Sequence, residues 1–170
     1  MLFRSEDIDE HLAKKYGTSR EQTERSREAI RERGAAVGFN FEPGKRSRIY
    51  NTFDAHRLLH WAEIEGRQRA LKHALFEAYF TQGKNPSDHA VLIELAAQVG
   101  LDPARAAEIL SSDTYADEVR RQERFYLDHG INAVPAVIIN DRHLIQGGQP
   151  SEVFEQALRQ IAAGQVAAGK

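Results

Sequence analysis

Apolar residues recur at helical spacing along the first three-quarters of the chain, and the spacing changes after Gly130. Ile8 and Leu12, four apart, predict a short helix that ends at Gly17. From Ser19 to Arg33 the pattern is almost wholly polar, with Ile30 a rare exception, which predicts a solvated and weakly docked helix. Gly34 to Ser47 reads as a connection in which Phe39 and Phe41 alternate around Asn40 in a short extended stretch. Asn51-Thr52 then opens a long helical region ending at Gly83, with Leu71, Leu75, Ala78 and Tyr79 on one face. A second stripe, Leu92, Leu95, Ala96 and Val99, follows Asn85-Pro86-Ser87-Asp88 and stops at Gly100. Asp102-Pro103 is an N-cap followed by proline at the first helical position, where its missing N–H costs nothing. Asp113 is expected to cap a further helix carrying Tyr115, Val119 and Tyr126 and ending at Gly130.

Beyond Gly130, Ala136 to Ile139 is continuously apolar and rich in β-branched residues, Asn140-Asp141 is a tight-turn pair, and His143-Leu144-Ile145 pairs back. Gly147-Gly148 leads to a last helix with Phe154, Ala157, Leu158 and Ile161 on one face, then a frayed tail from Gly164. A strand reading Ala-Val-Ile-Ile lacks polar alternation, so both of its faces are expected to be covered, as in a central strand. The chain offers it one partner, and an isolated two-stranded hairpin is marginal in water. At least one strand is therefore expected to be missing, unless the Phe39–Phe41 stretch fills the gap. A bare apolar edge also invites pairing with another chain, so a homodimer through this edge is expected.

At 170 residues the chain has the length of one domain with a modest insertion. Hydrophobic residues make up 41% and charged residues 28%, proportions of an ordinary globular protein. No apolar run approaches the roughly 20 residues of a membrane helix, so no membrane role is expected. Lys plus Arg is 23 against 25 Asp plus Glu, a net charge of −2, so there is no basic excess for nucleic acid. Cysteine is absent, which excludes disulfides, thiolate metal sites and cysteine nucleophiles within these residues. Met1-Leu2-Phe3-Arg4-Ser5 is not a signal peptide. It is also the translation of a common sequencing-adapter end, GTG CTC TTC CGA TCT read from GTG as start, which predicts that a native upstream part is missing.

Among residues that could carry chemistry, Val134-Pro135 stands at the mouth of the hydrophobic strand, where proline is tolerated because it cannot donate to a ladder. A cis bond there would turn the amide and carbonyl of Val134 out of the sheet toward a bound peptide. A trans proline would be strand punctuation. His56 and His60 have zinc-ligand spacing on a helix, but Arg57 occupies the place of a catalytic Glu and only Glu63 is near as a third ligand. No metal is expected. Lys45, Arg46 and Arg48 form a small basic cluster in a solvated loop that could meet an anion. Trp61, Phe76, Tyr79 and Phe80 are expected in the core or lining a junction of helices and sheet.

Helical insert, Val-Pro, strand, tight turn, strand, Gly-Gly and closing helix together resemble the C-terminal half of a thioredoxin fold. More specifically, Asn51-Thr52-Phe53-Asp54-Ala55-His56-Arg57-Leu58, Ala78-Tyr79-Phe80-Thr81, Ser87-Asp88-His89, Tyr115-Ala116-Asp117-Glu118-Val119 and Gly147-Gly148-Gln149-Pro150 resemble the FrnE-type subgroup of DsbA-like thiol–disulfide oxidoreductases. The resemblance runs from about Ile8 to Ile161. It implies an α/β protein of thioredoxin-like, DsbA-type architecture, with a helical insertion domain at residues 1–130, a C-terminal β-β-α part at 131–164 and a tail at 165–170. It further implies an upstream β-α-β unit with a Cys-x-x-Cys pair, which these residues lack, so the chain is expected to be inactive as it stands. Val134 would hydrogen-bond substrate backbone, Pro135 would pack against the active disulfide, and Asn51 and His56 would be substrate contacts. Asn51 reads equally as a helix N-cap. The implied setting is the bacterial cytoplasm, and the implied substrate is a protein or small-molecule thiol or disulfide. The glutathione-dependent 2-hydroxychromene-2-carboxylate isomerases share the architecture, with a serine in place of the first cysteine and glutathione as co-substrate. A non-catalytic interaction module is the third expectation.

Overall fold

A computed structural model of the chain describes residues 5–17 and 19–164. The expectations for Met1–Arg4 and for the tail at 165–170 lie outside the described residues. The chain divides into two compact units, Met1–Val119 and Arg120–Lys170.

The first unit opens with a two-stranded antiparallel sheet that the hydrophobic pattern did not predict. Strand β1 (Ser5–Asp7) pairs with β2 (Arg48–Tyr50), Glu6 opposite Ile49. Helices α1 (Ile8–Tyr16) and α2 (Arg20–Ala36) lie between these strands in sequence. Asp7 caps α1, its carboxylate accepting the N–H groups of Asp9 and Glu10, and Gly17 ends it in the left-handed conformation. Ser19 and Gln22 form a reciprocal capping box on α2. As expected, α2 is almost wholly exposed, Ile30 included.

The exception on α2 is Gly34, which is buried under an aromatic cluster. Phe39 and Phe41 form no strand. Their rings pack edge-on at 4.8 Å, and the Phe41 ring packs on Phe80 at 5.1 Å. The alternative that this stretch completes the C-terminal sheet is thus corrected: β3 (Ala136–Ile139) has β4 (His143–Gln146) as its one partner among the described residues. A Cβ on Gly34 would lie 2.5 Å from Phe41 Cδ2 and 3.0 Å from the Phe39 carbonyl oxygen. Gly34→Ala would ordinarily stabilise a helix interior by about 1 kcal/mol. Here it is expected to destabilise, by roughly 1–3 kcal/mol of overpacking, read as a lower urea midpoint than the wild type.

The core of the first unit is built by four helices: α3 (Phe53–Ile64), α4 (Gln68–Phe76), α5 (His89–Gln98) and α6 (Pro103–Ser111). Leu58, Leu71, Leu92, Leu95 and Ile109 are fully buried there, with Trp61 beside them. The predicted long helix from Asn51 to Gly83 is broken. A turn at 65–67, with Gly66 at φ +66°, separates α3 from α4. After α4, residues Glu77–Thr81 form a π-helical turn, closed by Gln82 N–H to the carbonyl of Glu77 five residues back. The widened turn is pinned to the aromatic loop: Glu42 N–H donates to Phe80 C=O at 3.2 Å and Thr81 Oγ1 to Asn40 C=O. Asp88 and Asp102 cap α5 and α6, each accepting the N–H two residues on, and Pro103 takes the first position of α6.

Helix α7 (Ala116–Asp128) crosses the boundary between the units. It begins later than expected from Asp113, whose main-chain carbonyl accepts the Ala116 N–H while Tyr115 takes φ +64°.

In the second unit β3 and β4 form an antiparallel hairpin, Val137 opposite Ile145 and Ile138 opposite Leu144, turned at Asn140 and Asp141 with φ near +54° and +53°. Helix α8 (Ser151–Ala162) follows. No described residue between 120 and 164 is buried. Val137 and Ile138, on opposite faces of β3, are 39% and 45% exposed. The expectation of a strand covered on both faces is corrected: both faces are apolar, Ala136 and Ile139 are half-buried, and none of the four residues is fully buried. On α8, Phe154, Ala157 and Ile161 are half-buried, while Leu158 is exposed.

Candidate functional site

Val134 and Pro135 lie at the start of β3, joined by a cis peptide bond. Pro135 C=O accepts the Gly147 N–H at 2.8 Å, which continues the β3–β4 register one pair beyond Ala136 and Gln146. Hydrogen-bonded and non-bonded pairs alternate along an antiparallel ladder. Val137 and Ile139 therefore turn their N–H and C=O groups toward β4, and Ala136 and Ile138 direct theirs to the open edge. Val134 is 88% exposed, and among the described residues neither its N–H nor its C=O has a backbone partner. Gly147, at φ +81°, lets the chain turn back after β4, where Gln149 Nε2 donates to Gln146 C=O at 2.9 Å. Such an edge can hydrogen-bond an extended peptide.

Asn51 and His56 belong to the first unit. Asn51 Oδ1 accepts the Phe53 N–H at 2.9 Å in an Asx turn at the entry to α3, whose N-cap is Thr52, one residue beyond the position the N-cap reading gave. His56 is an exposed residue on the first turns of α3. His60, one turn on, stacks its ring against Tyr115 at 5.0 Å, and its Nδ1 is buried without a partner. The basic cluster is divided between partners. The Arg46 guanidinium lies 5.3 Å from the Phe80 ring centre and 5.7 Å from that of Tyr79, and its Nε–H donates to Tyr79 Oη at 3.2 Å. Tyr79 O–H in turn donates to Arg48 C=O at 2.7 Å, while Arg48 itself donates to Ser5 Oγ at 3.0 Å. Of the four aromatics expected in the core, Trp61 is buried, Tyr79 and Phe80 are half-buried, and Phe76 is exposed.

One polar network went unread in the sequence. Arg57 is 3% exposed, on the face of α3 that buries Leu58 and Trp61. Its guanidinium donates to Asp54 Oδ1 at 2.8 Å, to Thr114 C=O at 2.9 Å, and to the carbonyls of Ile109 and Ser112. It thereby supplies donors to carbonyls at and just after the C-terminus of α6, that of Ile109 also accepting from Ser112. His89 Nε2, at the start of α5, lies 2.8 Å from the other Asp54 oxygen. The signal that could have found the network is Arg57 itself, a charge set among Ala55, Leu58 and Leu59, three residues from Asp54.

Burial pushes the Asp54 carboxyl up, but the hydrogen bonds from His89 and Arg57 outweigh it and hold the group below its ordinary value of 3.8. A carboxyl depressed on folding contributes stability that is complete above its unfolded value and is lost as the pH falls through the folded one. Asp54→Asn is therefore expected to be less stable than the wild type above pH 3.8, with the gap narrowing as the pH falls below it. Urea midpoints on either side of that value check the sign.

A family model described as a DSBA-like thioredoxin domain matches residues 2–159. An uncharacterized Bacillus subtilis protein, YwbO, is 36% identical over 101 residues, covering 58% of this chain and 50% of that protein. The match thus spans half the length of that curated relative. The solved structure of a probable DsbA oxidoreductase from Streptomyces coelicolor is 34% identical with a TM-score of 0.85, covering 98% of this chain and 71% of that one. A 2-hydroxychromene-2-carboxylate isomerase structure is 16% identical with a TM-score of 0.64, covering 93% of this chain and 90% of that one, a likeness of fold alone.

Proposed function

The chain belongs to the DSBA-like thioredoxin domain family, and from that membership we propose that it is the helical and C-terminal part of a thiol–disulfide oxidoreductase of the FrnE-type subgroup, working in the bacterial cytoplasm, whose redox thiols are carried upstream of Met1. The observation that carries the reading is the likeness, over nearly the whole chain, to a probable DsbA oxidoreductase at 34% identity. The state of the second unit supports an upstream β-α-β unit: an apolar strand with one edge open and no residue fully buried is what remains when a neighbouring strand and its helices are taken away.

In such a protein an upstream thiolate bonds to one sulfur of a substrate disulfide and the other sulfur leaves as thiolate. The second thiol then displaces the first substrate sulfur, leaving the substrate a dithiol and the enzyme a disulfide; the reverse direction oxidises the substrate. This chain's part is positioning. The unpaired N–H and C=O of Val134 hold extended substrate backbone and Pro135 closes the strand beside the disulfide; Asn51 and His56, in the first unit, are separate candidate substrate contacts. Substrates are protein or small-molecule thiols and disulfides, glutathione among them.

The test is the genomic sequence immediately upstream of the first codon, followed by expression of the longer frame. An in-frame Cys-x-x-Cys segment and insulin-reductase activity that is lost on cysteine-to-serine substitution support the reading. A lone serine with glutathione-dependent isomerase activity would replace it by the isomerase. A native start at Met1 with no redox partner segment would leave an interaction module.

A further inference from the structure

We propose that the first unit holds a binding site for a free apolar α-amino acid, in a pocket at the C-terminal end of α3. The inference does not rest on the oxidoreductase reading, and every residue it uses belongs to the first unit.

The pocket has a volume of about 540 Å³, within the range of small-molecule sites. Its floor is apolar and aromatic: Trp61 and Leu101 are buried there, beside the half-buried Tyr115. The Tyr115 ring is fixed from two sides. It packs on the His60 ring at 5.0 Å, and its hydroxyl hydrogen-bonds Arg105, which also pairs with Glu108 at 2.6 Å. The Tyr115 backbone stands at φ +64°, a left-handed conformation that strains a non-glycine residue and clusters at ligand sites.

The rim carries charge of both signs, and the turn between α3 and α4 arranges it. Glu65 is the C-cap of α3, and Arg67 stands at the start of α4. The negative end of one helix dipole and the positive end of the next thus meet at this rim, each beside a side chain of its own sign. Among the described residues the Arg67 guanidinium has no partner, and α4 has no side-chain cap. Glu65 Oε1 accepts the Trp61 Nε1–H at 3.2 Å, and Asp102 Oδ1 accepts the Ala104 N–H at 2.9 Å. Each carboxylate keeps further acceptor capacity. An unpartnered cation beside two carboxylates suits a molecule that is itself a zwitterion. Its carboxylate takes the Arg67 guanidinium as a bidentate pair, its ammonium donates to Glu65 and Asp102, and its side chain lies on the aromatic floor. A plain anion would meet the two carboxylates of the rim, and a plain cation its two guanidinium groups.

The experiment is titration of the full 170-residue chain with L-phenylalanine, followed by the emission of Trp61, the sole tryptophan. Hydrocinnamate, which lacks the ammonium, and phenethylamine, which lacks the carboxylate, are titrated beside it. Phenylalanine is expected to change the emission saturably. Each analogue is expected to bind about tenfold more weakly or worse, the loss that follows removal of a hydrogen-bonded charge. Arg67→Gln, at an exposed position, is expected to weaken phenylalanine by a similar factor and to leave the urea midpoint without ligand unchanged. Should the variant lose its fold, the two analogues on the wild type decide. Should the emission not respond, the urea midpoint reads the same binding, because a ligand of the folded state raises it. No response by either readout, an analogue that binds as tightly as phenylalanine, or an Arg67→Gln chain that binds phenylalanine unchanged would each overturn the proposal.

Discussion

Replacing Arg57 with alanine is expected to lower the stability of the helical unit by about 1–3 kcal/mol for each buried carbonyl left without a donor. The guanidinium is 3% exposed and serves an Asp54 carboxylate and three main-chain carbonyls, those of Ile109, Ser112 and Thr114. Alanine takes the guanidinium donors from the Ser112 and Thr114 carbonyls, leaves Ile109 with Ser112, and leaves the Asp54 carboxylate with His89. Lysine keeps the charge but not the planar fork that reaches several acceptors at once, so Arg57→Lys is expected to fall between alanine and the wild type. Trp61, the sole tryptophan, is buried in the same unit, so its fluorescence in a urea titration reports on this unit directly. A loss below about 1 kcal/mol, the scale of an exposed ion pair, would show that the network is surface decoration.

The 170-residue chain by itself is expected to leave the reduction of insulin by dithiothreitol at its uncatalysed rate. Exchange needs a thiolate that enters a mixed disulfide and a second thiol that resolves it, and the chain holds no cysteine. Its contribution in the proposed enzyme is the backbone at the mouth of β3, which orients a substrate but forms no S–S bond. The expected difference from a longer protein with a Cys-x-x-Cys pair is therefore the whole of the activity. Turbidity of the precipitating insulin B chain reads it, and any acceleration by the purified chain would remove the mechanism assigned to the family from this polypeptide.

The helical caps were legible because each is a local event. Asp102-Pro103 states its helix start in two residues, and the structure places the cap and proline there. The glycine at 66 alone did not reveal the break, since it costs a helix only about 1 kcal/mol; the signal was the nine residues from Ala62 to Leu71, which set the two apolar pairs on opposite sides of a continuous helix. The sheet of β1 and β2 escaped because three-residue strands are too short to show alternation. Among the site residues, Val134 and Pro135 could be read from the proline at a strand mouth. Arg57 was marked by its apolar neighbours and by Asp54 three residues away, but its carbonyl acceptors lie more than fifty positions on and left no local trace. The strand at Ala136–Ile139 was visible, but its coverage was not: burial depends on what stands beside a strand, and a residue pattern records what the strand suits.

The π-helical turn at Glu77–Thr81 holds one residue more than an α-turn would need, and that surplus sets the phase of everything after it. One residue is worth about 100° of rotation on a helix. Excising a single position there would swing Phe80 off the Phe41 ring and Thr81 off Asn40, while leaving composition, hydropathy and length all but unchanged. Homologues that differ by one residue in this stretch would thus share the alignment on both sides and yet hold the loop from Phe39 to Arg46 in a different place, so a gap of one at this point is a change of architecture and not of spacing.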